Sequence, residues 1–296
     1  MPKITDYNAV GSTNGTTSLA DADVTNTDGA TGVRKITMVH LAEAVYDKLL
    51  KNGVGTPVGK SGIYRGANLG SGATFSAAST SAQRNAIADG TFTGLFVGDY
   101  WRINNKIYRI ADFNYWKHSG DTEFNVNHIV IVPDLSFGND KMNDSNTTAG
   151  AYVGSKMYSD SSSVLNTART TISDDFGGYL AQHREFLANA VTNGAESDGA
   201  WFDSTVELMN EWMVYGHPIY TKKSPTSLNY LYTIDKAQLA LFRLNPAMVN
   251  SRNTYWIRNV ASATNFADIG YGGNANSANA SGSYGVRPVF AVKGIV

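Results

Sequence analysis

Five carboxylates, Glu196, Asp198, Asp203, Glu207 and Glu211, fall within a stretch of 16 residues. Paired acids of this kind are what glycoside hydrolysis uses, one protonating the leaving oxygen and the other acting as base or nucleophile. Two features weigh against that reading. Glu207 and Glu211 are one helical turn apart, a spacing common on solvated helix faces, and Asp203 or Ser204 is accounted for as a helix cap. His183-Arg184-Glu185 carries residue types suited to metal or acid–base work, yet no second histidine follows at ligand spacing. The five histidines, at 40, 118, 128, 183 and 217, are scattered, with no two three or four positions apart, so their spacing builds no metal site.

Other patterns are near misses. Asp134, Asn139, Asp140, Asn143, Asp144 and Asn146 offer enough oxygens for calcium but lack the regular spacing of an EF-hand, so the expectation is a polar turn region and no cofactor. The run from Gly53 to Gly59-Lys60-Ser61 is like a phosphate-binding loop with valine, Val54, where the pattern requires glycine. Among the tryptophans and tyrosines, whose flat faces suit sugar rings, most read as core. Trp116 and Trp201, flanked by polar residues, are retained as ligand-stacking candidates.

Composition limits the remaining classes. The chain of 296 residues has an ordinary hydrophobic fraction of 42%, but 29 glycines and only 17% charged residues shift it toward strands, turns and loops. A net charge of −1 supplies no electrostatic footprint for a nucleic-acid backbone. Zero cysteines exclude disulfides, thiolate metal sites and thiol nucleophiles. No apolar core like that of a signal peptide follows Met1, and no run reaches membrane-spanning length, so the expectation is a protein made in the cytosol without membrane insertion.

The elements that must position any site divide into an N-terminal part and a body. Residues 4–31 are polar and too poor in apolar side chains to offset their own ordering entropy, which suits an arm held by a partner. A helix is expected from Ile36 to Lys51, with apolar residues at 38, 41, 42, 45 and 49 and a stop at Asn52-Gly53. Residues 53–91 read as a Gly/Ser-rich connector. The body, 92–296, opens with two alternating runs across Asn104-Asn105, a hairpin signal. The apolar run His128 to Pro133 predicts a buried central strand. Helices are expected from Tyr179 to Val191, from Ser204 to Val214 behind a capping-box pattern, and from Asp235 to Leu244 before Asn245-Pro246. Strand candidates at 254–258 and 286–292 bracket 26 small-residue positions, Asn259 to Tyr284, that read as a long binding loop. The fold class is α+β with an antiparallel sheet.

The body resembles a domain family of unassigned activity that recurs in phage and prophage virion proteins. The matching segments are Gly98-Asp99-Tyr100-Trp101, the run Ile110 to Trp116, the run His128 to Asp134, His183-Arg184-Glu185, the run Trp201 to Glu211, Tyr255-Trp256-Ile257-Arg258 and Gly285-Val286-Arg287-Pro288. The ending is also similar to the C-type-lectin-like fold of formylglycine-generating enzymes and of hypervariable ligand-binding proteins. Those enzymes bind their metal through cysteines, which this chain lacks, so the resemblance implies the binding branch.

The resemblance implies a polar N-terminal arm and helix, 1–52, that docks on other virion proteins, a connector, 53–91, and a C-type-lectin-like mixed α/antiparallel-β head, 92–296. Asn265, Phe266, Asp268, Tyr271, Asn274, Asn276 and Asn279 are then the expected ligand-contacting residues of the loop, together with Trp116 and Trp201. It further implies location in the virion, a host-surface glycan or protein as ligand, and a homo-oligomer, trimers being usual for such proteins. Arg258 and Arg287 are expected to tie strands to backbone or carboxylates. A purely structural cementing role for capsid or tail, and a glycan-degrading virion enzyme, are the alternatives.

Overall fold

The computed structural model describes residues 62–221 and 237–295. The arm, the helix expected at 36–51 and the glycine-rich run at 53–61 lie outside the described residues.

The described chain is a mixed α+β structure, mostly β. In chain order it runs β1 (Asn68–Gly72), α1 (Phe75–Ala78), α2 (Ser81–Ala88), β2 (Tyr100–Ile103), β3 (Lys106–Phe113), β4 (His128–Pro133), β5 (Asn139–Asp140), α3 (Lys156–Ser159) and α4 (Val164–Phe176). It continues with β6 (His183–Thr192), β7 (Ala195–Ser204), β8 (Val206–Leu208), α5 (Glu211–Tyr215), α6 (Ala240–Leu244), β9 (Tyr255–Val260), β10 (Asn265–Ile269), β11 (Ala275–Asn279), β12 (Tyr284–Gly285) and β13 (Pro288–Lys293). A six-stranded sheet has the order β1-β2-β3-β4-β13-β8 and a five-stranded sheet the order β11-β10-β9-β12-β5, while β6 and β7 form a separate two-stranded ribbon. The sheets are chiefly antiparallel, with parallel pairing of β1 to β2 and of β12 to β9.

Local chemistry explains several elements. Asn104 and Asn105 both take positive φ, 46° and 65°, as the two central residues of a type I′ turn require, and the β2–β3 hairpin forms as expected. All six residues of β4 are buried between β3 and β13, so the continuous apolar run is a central strand. The Thr80 side chain accepts from Gln83 N while the Gln83 side chain accepts from Thr80 N, a capping box that starts α2. Thr80→Ala is expected to lower stability by about 1 kcal/mol, measured by urea denaturation, because one amide of the first turn loses its acceptor.

Four expectations are corrected. Residues 68–88 are part of the body's core: Phe75 is fully buried against Trp101 at 5.1 Å, and Asp99 accepts from Arg65 and from the amides of Ala67 and Phe96. The helix expected at 179–191 is β6. Its burial alternates along His183 to Leu187, and Asn193-Gly194, at φ 52° and 75°, is the hairpin turn that returns the chain into β7. The helix expected at 204–214 is the end of β7, then β8, and only then a helix that Asn210 caps. Val206 to Leu208 pair with β13, and Ser204 makes no cap.

Residues 259–284 are not a loop but a meander, β9-β10-β11, that makes most of the five-stranded sheet. The described part of the third expected helix is α6, which ends before Asn245-Pro246 as read. Strands β9 and β13 form where strands were expected.

Candidate functional site

The expected loop residues do not converge. Phe266 is fully buried in the core under the five-stranded sheet, and Asp268 is 1% exposed, accepting from Asn276 across the β10–β11 pair at 3.1 Å. Burial pushes the Asp268 carboxyl up to about 6, against a smaller opposing effect of Asn276. Asn265 is half-buried at the start of β10, Asn274, Asn276 and Asn279 are exposed, and Tyr271 stands out at 75% exposure. Trp116 is buried, whereas Trp201 is half-buried with its ring edge-to-face on Phe186 at 5.5 Å.

The five carboxylates are also dispersed. Glu207 is buried with Tyr152 and Arg169 on its Oε2. Burial raises its pKa, with Glu185 adding to the rise and Arg169 opposing it. Glu211, also buried, accepts from the amides of Ile219, Tyr220 and Thr221 and from the Thr221 hydroxyl, at 2.7–3.1 Å. Glu196 accepts from Val260 N at 2.9 Å, and Asp198 from Gly199 N at 2.8 Å. Of the five, Asp203 lines a cavity, while Glu196, Glu207 and Glu211 are buried on separate hydrogen-bonding partners, so these contacts show no facing pair. Glu211→Ala is expected to leave three amides without their acceptor. Hydrogen exchange at 219–221 should accelerate at least tenfold, with a stability loss of about 1–3 kcal/mol.

The oxygen-rich run is likewise engaged. Asp140 accepts from Lys141 N and from Val164 N at the start of α4, Asn143 bonds Lys156 N and Thr147 O, and Asp144 pairs with Lys156. Among the described residues no group of three or more His, Cys, Asp or Glu side chains is placed to hold a metal.

What the fold does assemble is an open cavity of about 440 Å³ between loop 114–127 and the start of the β6–β7 ribbon. Thr122, Glu123 and Phe124 line one side; Gln182, His183, Arg184 and Asp203 line the other. The loop is braced by its own bonds. Asn114 and His128 close its ends through Asn114 N to His128 O and His128 N to Asn114 Oδ1, and inside it His118 N donates to Phe124 O and Phe124 N to Ser119 O. A compact loop with paired ends holds its side chains in place without a partner.

Arg184 joins the two sides. Its Nε and Nη2 form a bidentate pair with Asp121, at 2.7 and 2.9 Å, and its Nη1 reaches Asp203 at 2.9 Å. These carboxylates raise the arginine's pKa, and Arg184 in turn lowers that of Asp121.

Beneath the cavity lies a buried polar ladder. His183 Nε2 is 3.0 Å from Glu185 Oε1, and Glu185 Oε2 accepts from Arg258 of β9, whose own N–H meets Met209 O. Burial would raise the Glu185 carboxyl, but Arg258 and His183 outweigh it and hold it at about 2. The His183 ring lies over Trp116 at 4.1 Å. His128 donates through Nδ1 to Val126 O while its Nε2 accepts from Trp116 N, a pattern that only the neutral ring satisfies; burial lowers its pKa to about 3.

Ser204 stands opposite His183 across the ribbon, and Ser, His and Glu are the types of a hydrolase relay. The relay is not formed: the Ser204 hydroxyl has no partner among the described residues and is 1% exposed, and His183 Nε2 is held by Glu185. Sequence reasoning weighed His183-Arg184-Glu185 and Asp203 but not Asp121, Thr122 or Gln182. No local signal marks these, because a loop and a ribbon 63 positions apart in Arg184–Asp121 meet only through tertiary packing.

No family model, curated protein or solved structure matches this chain. No helix among the described residues is long and apolar enough to cross a membrane.

Proposed function

We propose that this chain is a bacteriophage virion protein, of the head-fibre, decoration or tail-associated kind, whose body is a C-type-lectin-like domain that binds a host-surface ligand without transforming it. The observation that carries the binding reading is the open cavity between loop 114–127 and the β6–β7 ribbon. Its volume of about 440 Å³ lies in the range of small-molecule sites, and its walls carry hydrogen-bonding groups on a pre-braced frame. Glu196, Glu207 and Glu211, three of the acids that a hydrolytic reading invokes, are instead engaged in holding backbone and an arginine. The virion reading is supported by the resemblance, whose segments fall on β2, β3, β4, the ribbon, β9 and the approach to β13; of these the ribbon and β9 carry the ladder.

In this reading the N-terminal arm attaches to other virion proteins and the protein assembles as a homo-oligomer, a trimer by analogy. Immunogold labelling of purified particles, with adsorption of the full-length protein to host cells, tests it. Labelled particles and saturable adsorption are expected; absence from particles or lack of adsorption overturns the respective half.

The cementing alternative draws on one feature. Among the described residues β11 is an outer strand of its sheet, and an outer strand offers unpaired backbone groups to a neighbouring chain. Labelled particles without cell adsorption would favour it.

A further inference from the structure

The free hydrogen-bonding capacity of the cavity is weighted toward acceptors. Arg184 is the permanently charged cation of its lining, and four of its five N–H groups are engaged, two with Asp121, one with Asp203 and one with Trp201 O. An anionic ligand would therefore find no free guanidinium fork. Acceptors are plentiful: Asp203, whose carboxylate is 63% exposed, uses only Oδ1, and Glu123 stands 55% exposed with His118 and Asn125 on its oxygens. The Gln182 amide and the Thr122 hydroxyl, both exposed, make no hydrogen bond to the described residues and can both donate and accept. Asp121 and Asp203 hold the one arginine and Glu123 stands in the same lining, so the mouth is acidic. Phe124, 9% exposed, adds a narrow apolar edge to the lining.

From this we infer that the cavity takes an uncharged or amino-bearing pyranose and rejects acidic sugars. The inference rests on the reading of this cavity as the ligand site. A pyranose supplies what the walls lack: several O–H donors on adjacent carbons for Asp203, Glu123 and Gln182, and an apolar C–H face for Phe124. Specificity follows from the charge of the walls, since a sugar carboxylate would face Asp203 and Glu123 and find no free guanidinium fork, only single donors from Arg184, Gln182 and Thr122.

The test uses the full-length protein and three probes of the same ring, methyl glucoside, glucosamine and glucuronate, read by saturation-transfer NMR, with N-acetyl-lysine amide as a non-sugar cation. Signal from the first two, and about tenfold less from glucuronate, is expected. Thr122→Trp, an exposed substitution that fills the mouth, should abolish the signal with the melting temperature unchanged. Asp203→Asn, which removes a charge while its Oδ1 can still accept from Arg184, should raise glucuronate binding about tenfold relative to methyl glucoside.

Equal binding of all three sugars, persistence of signal in Thr122→Trp, binding of the lysine probe alone, or no binding of any probe would each overturn the inference. Host-cell adsorption of the same variants separates it from the virion reading. Adsorption that survives Thr122→Trp removes the cavity but leaves host binding in place. Sugar binding without adsorption keeps the cavity and removes the host.

Discussion

Arg258→Ala is expected to cost about 3–5 kcal/mol of folding stability, the largest loss from any single side chain of the ladder. Arg258 is 5% exposed and Glu185 is 3% exposed, so the substitution strands a carboxylate between β6 and β9 without its cation. Set against the 5–15 kcal/mol that holds a typical domain together, that is a large fraction of the total. The ribbon would detach before the sheets unfold, because the pair joins it to the five-stranded sheet. The measurement is guanidinium denaturation of the wild type, Arg258→Ala, Glu185→Gln and the double variant. A coupling energy near zero in that cycle would show that the two side chains are independent and would refute the assignment.

The same pair sets an acid limit. Glu185 is held at about 2 in the folded state against 4.5 for an unperturbed glutamate. Because the folded value is the lower one, the carboxylate's contribution is fully present above about pH 4.5 and is lost as pH falls from there toward 2. The depression corresponds to about 3 kcal/mol. Glu185→Gln should flatten the stability profile in that window and leave it unaltered in shape above pH 6; an unchanged acid limb would contradict the role given to Arg258.

Arg287→Ala is the second large effect, about 3 kcal/mol or more. This side chain is 1% exposed and, among the described residues, meets no carboxylate. Its Nε donates to Pro133 O at 2.8 Å and its Nη1 to Met248 O at 3.1 Å, while the guanidinium lies over the rings of Tyr255 and Phe242. One planar group thus ties the end of β4, the turn at Pro246–Val249 and β9 to the start of β13. Removal leaves buried carbonyls without a donor and a cavity where the fork lay. In thermal unfolding the melting temperature should fall by roughly 6–12 °C. Arg287→Lys should recover only part of this, since an ammonium cannot serve divergent carbonyls from one plane. Full recovery by lysine would show that charge, not geometry, is what the site needs.

Some of this architecture was legible in the chain. Asn104-Asn105 specified its turn, His128 to Pro133 its central strand, Asn245-Pro246 a helix stop, and Arg258 and Arg287 their structural roles, because each depends on backbone preferences or on groups a buried arginine must find. The reading of Tyr179 to Val191 as a helix, and of Ser204 to Val214 as a helix before its last turn, failed for a physical reason. Apolar residues there fit a helical period, but Asn193-Gly194 fixed a hairpin, and pairing along β6–β7 outweighed helix propensity.

The meander at 259–284 shows the limit from the other side. Ala, Asn and Ser have weak strand preference, and β11, Ala275 to Asn279, is a strand only because β10 lies beside it. The sequence by itself determined the class of the fold, the turns, and the exclusion of cysteine chemistry, since these follow from local conformational preference and composition. Only the tertiary structure decided which acids are structural, that Phe266 and Trp116 are core, and that Arg184 closes a cavity with Asp121. Those outcomes depend on burial and on contacts between residues far apart in the chain, and no local pattern encodes either.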